Sequence, residues 1–196
     1  MGRPTIALYG GSFDPPHVAH VLTVAWVLSA GGVDGVWVLP VWRHALDKDV
    51  RTPFADRVAL CRAAFGLFGP VVAVREDEAR KDATGRTLDL IVGLAAAHPA
   101  LDFRVVVGSD ILHERERWHR FAEVAARAPL IVLPRTGWPV PDAAELAGCP
   151  FDVAPILLPA VSSTQVRAAL AAGSSVAGLV PDTVRTAIDS LGLYAP

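Results

Sequence analysis

Gly10-Gly11-Ser12-Phe13-Asp14-Pro15-Pro16-His17-Val18-Ala19-His20 follows the apolar, β-prone run Ile6-Ala7-Leu8-Tyr9 and precedes a long segment of helical apolar spacing. The stretch therefore reads as the loop and first turn of a strand-to-helix junction. Two glycines allow close approach of backbone to a ligand, and two prolines can open a helix where their missing N–H groups cost nothing. The free N–H groups and the positive end of the helix dipole then form an anion site, which is where phosphates bind. His17 and His20 are three apart, so in a helix they share the face nearest that site. Asp14 stands ahead of the helix, where the role of N-cap suits it better than metal binding.

A metal pair is the alternative for the two histidines, but no Cys, Asp or Glu lies nearby at a ligand spacing. Neither common phosphate loop is present: the chain has no Gly-x-x-x-x-Gly-Lys-Ser/Thr and no Gly-x-Gly-x-x-Gly followed by an acid closing the next strand. A nucleotide site built with histidines is what the stretch supports.

Outward from this junction, strand-like runs alternate with helical ones. Residues 4–9, 35–40, 71–75, 103–107 and 129–133 are short, nearly continuous apolar runs, as strands buried on both faces require. Residues 16–30, 53–68, 86–98 and 118–127 have helical spacing or composition. That order predicts an α/β fold, a Rossmann-like doubly wound parallel sheet with helices on both faces and right-handed crossovers. Ligands in such sheets sit at the carboxyl ends of the strands where strand order reverses, and the first strand's loop is expected there. A Pro-, Gly- and Trp-rich surface connection at 134–141 follows, then an apolar run at 151–158 ending at Pro159. Helical segments 163–172 and 181–191 close the chain. With 196 residues, one domain is expected, its part 159–196 forming a C-terminal helical segment.

Apolar residues make up 52% and charged ones 19%, which excludes disorder. A net charge of −2 argues against a general nucleic-acid binder. No segment is long and apolar enough to span a bilayer, and no signal-peptide pattern precedes the first strand. Cys61 and Cys149 form no close motif, so reduced thiols in a cytoplasmic protein are expected, with Cys61 in the core.

The second informative stretch is Val161-Ser162-Ser163-Thr164-Gln165-Val166-Arg167. Ser162 and Gln165 have capping-box spacing, which accounts for the hydroxyls. It does not account for Arg167. A cation in the first turns of a helix opposes the dipole unless an anion sits at the helix end, and a guanidinium grips phosphate oxygens in a fork. A second phosphate contact is expected there.

The first stretch resembles the signature of the nucleotidyltransferase superfamily with a His-x-Gly-His motif, and is most similar to nicotinate-nucleotide adenylyltransferases. One departure is Ala19 for the motif glycine, which adds a methyl group where the helix would approach a nucleotide. Val161 to Arg167 resembles the family's Ile-Ser-Ser-Thr-x-x-Arg motif, departing only by Val161. Val107-Gly108-Ser109-Asp110 with Trp118 resembles its Gly-x-Asp segment and downstream tryptophan. Thr84-Gly85-Arg86-Thr87-Leu88 stands for its Thr-x-x-Thr-Leu segment, Pro134-Arg135-Thr136-Gly137 for its Arg-Pro-Gly turn, and Val180-Pro181 through Tyr194 for its closing helix. The Pro-Pro-His-Lys stretch is matched only loosely, by Pro40 to Lys48.

The resemblance implies adenylyl transfer from ATP to nicotinate mononucleotide, with Mg²⁺ bound through the ATP phosphates. It implies catalytic roles for His17, His20 and Arg167. Gly10, Gly11, Ser12, Phe13, Gly108, Asp110, Ser162, Ser163 and Thr164 would bind the nucleotide, and His44, Lys48, Arg57, Thr87, Trp118 and Arg135 the acceptor. For the lone charges a solvated surface competes with binding. Trp118, in the polar run Glu114 to His119, either packs inward or forms a stacking platform. Three alternatives stay open: another phosphomonoester acceptor such as phosphopantetheine, a non-catalytic nucleotide-binding regulator, and a structural protein without a ligand. Oligomeric state is not encoded in these motifs, and a homo-oligomer is compatible with them.

Overall fold

A computed structural model describes residues 2–42, 52–79, 84–142, 145–146 and 148–195. Six strands form one parallel sheet: β1 (Thr5–Gly11), β2 (Gly35–Pro40), β3 (Val72–Val74), β4 (Asp102–Gly108), β5 (Leu130–Leu133) and β6 (Phe151–Val153). Their spatial order is β3-β2-β1-β4-β5-β6. The chain lays two strands, β2 and β3, outward from β1, then returns to place β4 on the other side of it, with Leu8 opposite Trp37 of β2 and Val105 of β4. Strand order therefore reverses between β1 and β4. This is the doubly wound arrangement, and its crevice opens at the carboxyl ends of these two strands.

The strands alternate sides although nearly all their residues are apolar. Ala7 and Tyr9, Val36 and Val38, and Ile131 and Leu133 enter one core; Leu8, Leu39, Leu130 and Val132 enter the other. The first core is covered by α1 (Val18–Ala30), α2 (Phe54–Phe65), α6 (Ser163–Ala171) and α7 (Asp182–Leu191), through Val27, Leu60, Val166 and Ile188 among others. The second is covered by α3 (Thr87–Ala97), α4 (Ser109–His113) and α5 (Phe121–Arg127), through Ile91, Leu112 and Val124. Cys61 is fully buried in the first core, as expected, and burial pushes its thiol up. No helix among the described residues is long and apolar enough to cross a membrane.

Three local differences from the sequence reading have physical causes. The helix expected from residue 16 starts at Val18, because the Asp14 and Pro15 carbonyls accept bonds from Arg167 and Ser163 of α6 instead of starting a ladder. The segment expected as helix 118–127 divides: a 3₁₀ turn at Arg115–Arg117 precedes an extended Trp118, and α5 begins only after Arg120, whose φ of 57° is left-handed. Part of the apolar run 151–158 is a sixth strand, ending at Val153. Ala154 still donates to Val132, but Pro155 has no N–H with which to continue the ladder.

Candidate active site

His17 ends the loop as N-cap of α1 and His20 follows one turn on, so the helix brings their rings together. The rings stack 3.7 Å apart, inclined by 25°. The His17 backbone N–H donates to His20 Nδ1 at 3.1 Å. His17 is only 3% exposed, and its Nδ1 is buried without a partner among the described residues. Burial, reinforced by the Arg135 charge, lowers the His17 imidazole to about 4. Burial, then His17 and Arg135, holds His20 well below the usual histidine value. Both imidazoles are neutral at pH 7. Since Nδ1 of His20 accepts, its proton lies on Nε2, leaving that N–H free to donate.

Phe13 supports this pair from below. Although not glycine, it has φ 48° and its ring is buried edge-on against His20 at 5.0 Å and Tyr9 at 5.4 Å. Gly11 leaves room for it, since a Cβ there would come within 3.1 Å of the Phe13 ring. Across the crevice, Gly108 ends β4. A Cβ on Gly108 would lie 2.2 Å from Asp110 Oδ1 and 2.8 Å from Arg135 Nε, so glycine leaves the room in which these two charges face each other at 3.4 Å. Ser109 is buried and ties this corner together, donating to the Trp138 carbonyl at 2.6 Å and accepting from the Arg135 N–H at 2.9 Å.

A cleft of about 750 Å³ joins these parts. Gly10, Gly11, Ser12, Phe13, His17, His20, Gly108, Asp110, Arg135, Ser162 and Ser163 line it, together with Thr87 and Trp118. Glu78, Thr84 and Arg86 also lie on its wall. Trp118 packs inward on the second core, 6.0 Å from Phe121, and also borders the cleft. Ala19 is buried and absent from the described cleft lining, so its methyl group does not crowd the ligand space.

The second motif docks onto the first. Ser162 caps α6, accepting from the Gln165 N–H, and Ser163 donates to the Pro15 carbonyl at 2.9 Å. Arg167 and Thr164 lie beside the cleft rather than on its wall. Arg167 donates to the Asp14 carbonyl at 2.6 Å and to Thr164 Oγ1 at 3.3 Å.

Two expectations change. Asp14 is not the helix cap: it is 2% exposed, and its Oδ1 accepts from Thr52 and Tyr194. Arg57 is not an acceptor contact: it is 2% exposed and its guanidinium is used by the carbonyls of Thr52, Ser12 and Val41, bracing the loops after β1 and β2. The bonds to three carbonyls offset the cost of taking the guanidinium out of water. His44 and Lys48 lie outside the described residues. Sequence reading missed the cleft position of Glu78, whose carboxyl burial and then Asp77 push up, and the tie from Asp14 to Tyr194. Neither residue stands in a spacing that carries chemistry by itself.

Comparison with known proteins agrees with this arrangement. A family model described as cytidylyltransferase-like matches residues 8–169. A protein of Anaeromyxobacter dehalogenans (strain 2CP-1) named "Probable nicotinate-nucleotide adenylyltransferase" is 44% identical over 196 residues, covering 98% of each chain. One of the same name from Myxococcus xanthus is 35% identical and covers 98% of this chain and 96% of its own. The solved structure of Plasmodium falciparum nicotinic acid mononucleotide adenylyltransferase complexed with NaAD superposes with a TM-score of 0.81 over 97% of each chain. At 21% identity that likeness is one of fold.

Proposed function

The chain belongs to the cytidylyltransferase-like family and, within it, to the nicotinate-nucleotide adenylyltransferases, and on that premise we propose that it transfers the adenylyl group of ATP to nicotinate mononucleotide. An oxygen of the mononucleotide phosphate forms a bond to the α-phosphorus of ATP while the bond to the β-phosphate oxygen breaks. The products are deamido-NAD and pyrophosphate, a step of NAD biosynthesis, carried out in the cytoplasm.

The observation that carries this reading is the pair of stacked imidazoles at the β1/β4 crevice, on one cleft with Trp118 and Thr87. Phosphoryl chemistry needs little beyond alignment and neutralisation of spreading negative charge. No protein nucleophile is required, and none is assigned. His20 Nε2–H and His17 donate to oxygens around the reacting phosphorus, with Arg135 adding charge. Ser162, Ser163 and the opening of α6 receive the leaving pyrophosphate, and Arg167 reaches it from beside the cleft. Trp118 offers a face for the pyridine ring.

Among the described residues no three His, Cys, Asp or Glu gather as a metal cage, and Asp110, whose buried Oδ1 faces Arg135 at 3.4 Å, is the carboxylate beside the phosphate-binding loop. That donor set fits Mg²⁺ held chiefly by triphosphate and water, as this ion prefers. When bound it would neutralise phosphate charge.

Competition between nicotinate and nicotinamide mononucleotides, with ATP and following pyrophosphate release, tests the proposal. A carboxylate only accepts hydrogen bonds whereas a carboxamide also donates, and mispairing one buried polar group costs about 1–3 kcal/mol. The acid is expected to win by roughly tenfold or more. Turnover with phosphopantetheine and neither pyridine would move the chain to another acceptor.

A further inference from the structure

Asp14 joins three parts of the chain that sequence separates widely. Its Oδ1 accepts from Thr52, on the segment after β2, and from Tyr194 Oη, near the end of the chain, at 2.6 Å. Its backbone carbonyl accepts from Arg167 Nη1 at 2.6 Å, while its Oδ2 stays 4.0 Å from the same nitrogen. A guanidinium beside a buried carboxylate ordinarily closes into a two-pronged pair. Here it does not, because two neutral hydroxyls take Oδ1 and the arginine rests on the carbonyl.

We infer that Tyr194 is a positioning residue for triphosphate binding: by sharing the Asp14 carboxylate with Thr52, it keeps Arg167 out of a full ion pair with Asp14 and available to phosphate. The inference rests on the proposed role of Arg167 toward the leaving pyrophosphate. Without the Tyr194 hydroxyl, Oδ1 of a 2% exposed carboxylate keeps only Thr52, its charge is less well satisfied, and Arg167, whose Nη1 already lies 4.0 Å from Oδ2, is drawn to close onto it. A phosphate would then have to break that pair before it could bind.

The test is Tyr194→Phe in the full chain, with inorganic pyrophosphate and ATP as calorimetric probes and KM measured for both substrates. One net hydrogen bond corresponds to roughly a two- to tenfold change in an equilibrium, so both probes should weaken by about that factor. The KM of the acceptor should not move. In an Arg167→Gln background the effect of Tyr194→Phe should vanish, since the two residues act through one contact. Thr52→Val removes the other hydroxyl and should act in the same direction, which keeps the test open if Tyr194→Phe does not fold. Unchanged probe affinity, equal weakening of ATP and acceptor, or an undiminished effect without Arg167 would overturn the inference. Wild-type chain that binds neither probe would instead overturn the proposed function itself.

Discussion

Acidification should destabilise the ligand-free protein through His17. Unfolded, its imidazole titrates near the ordinary 6.5; folded, it is lowered to about 4. Between those values the unfolded chain binds a proton that the native state refuses, so stability falls as the pH drops. The native contribution is complete above the unfolded value and is lost progressively down to the folded one. With about 1.4 kcal/mol per unit, the loss from this residue is about 2 kcal/mol at about pH 5 and approaches about 3 kcal/mol near pH 4. His20 is shifted in the same direction and adds to the loss. Urea unfolding of wild type and His17→Asn at about pH 7.5 and about pH 5 isolates the effect, because carboxylates elsewhere titrate alike in both. The variant should lose about 2 kcal/mol less than wild type over that interval. Equal losses in wild type and variant would show that His17 titrates normally, and the neutral-donor account of the site would fail.

Three further outcomes follow from the same geometry. His20→Ala should fold normally by circular dichroism but lose about 10²–10³ in kcat, the usual consequence of removing one preorganised donor; near wild-type turnover would make the ring structural. Arg167→Gln should raise the KM of ATP and leave that of the acceptor alone, and its ligand-free melting temperature should fall by a few degrees because the bond to the Asp14 carbonyl is lost. Gly108→Ala should separate Asp110 from Arg135, since the atoms in its way belong to these two side chains rather than to backbone, and cut kcat/KM by about tenfold or more; unaltered kinetics would show that this pair is not needed in its place.

The sequence by itself determined the class of fold and most of the site. Continuous apolar strands alternating with helical periods leave few alternatives to a parallel sheet covered on both faces, and Gly10 to His20 could be placed at its crevice because a strand, a glycine turn and a helix in that order form an anion site locally. His17 and His20 were legible for the same reason: their spacing is a property of one helix turn. Ser162 belongs here too, since a cap is encoded within four residues.

What only the tertiary structure decided involves groups whose partners are distant in the chain. Asp14 reads as a cap because its neighbours say so, but its carboxylate is claimed by Thr52 and Tyr194, which no local spacing connects to it. Arg57 looks like a surface charge until the loops after β1 and β2 close over it and three carbonyls take its donors. Ala19 stands, by its place in the motif, where a helix would approach a nucleotide, and only the packing of α1 against the sheet buries it. The neutrality of the two histidines is likewise a tertiary property: it depends on how much water the folded chain removes and on Arg135 being brought across the crevice from the far end of β5. Local sequence fixes conformations that neighbouring residues stabilise, whereas burial and charge at a point are sums over segments that meet only once the sheet has formed.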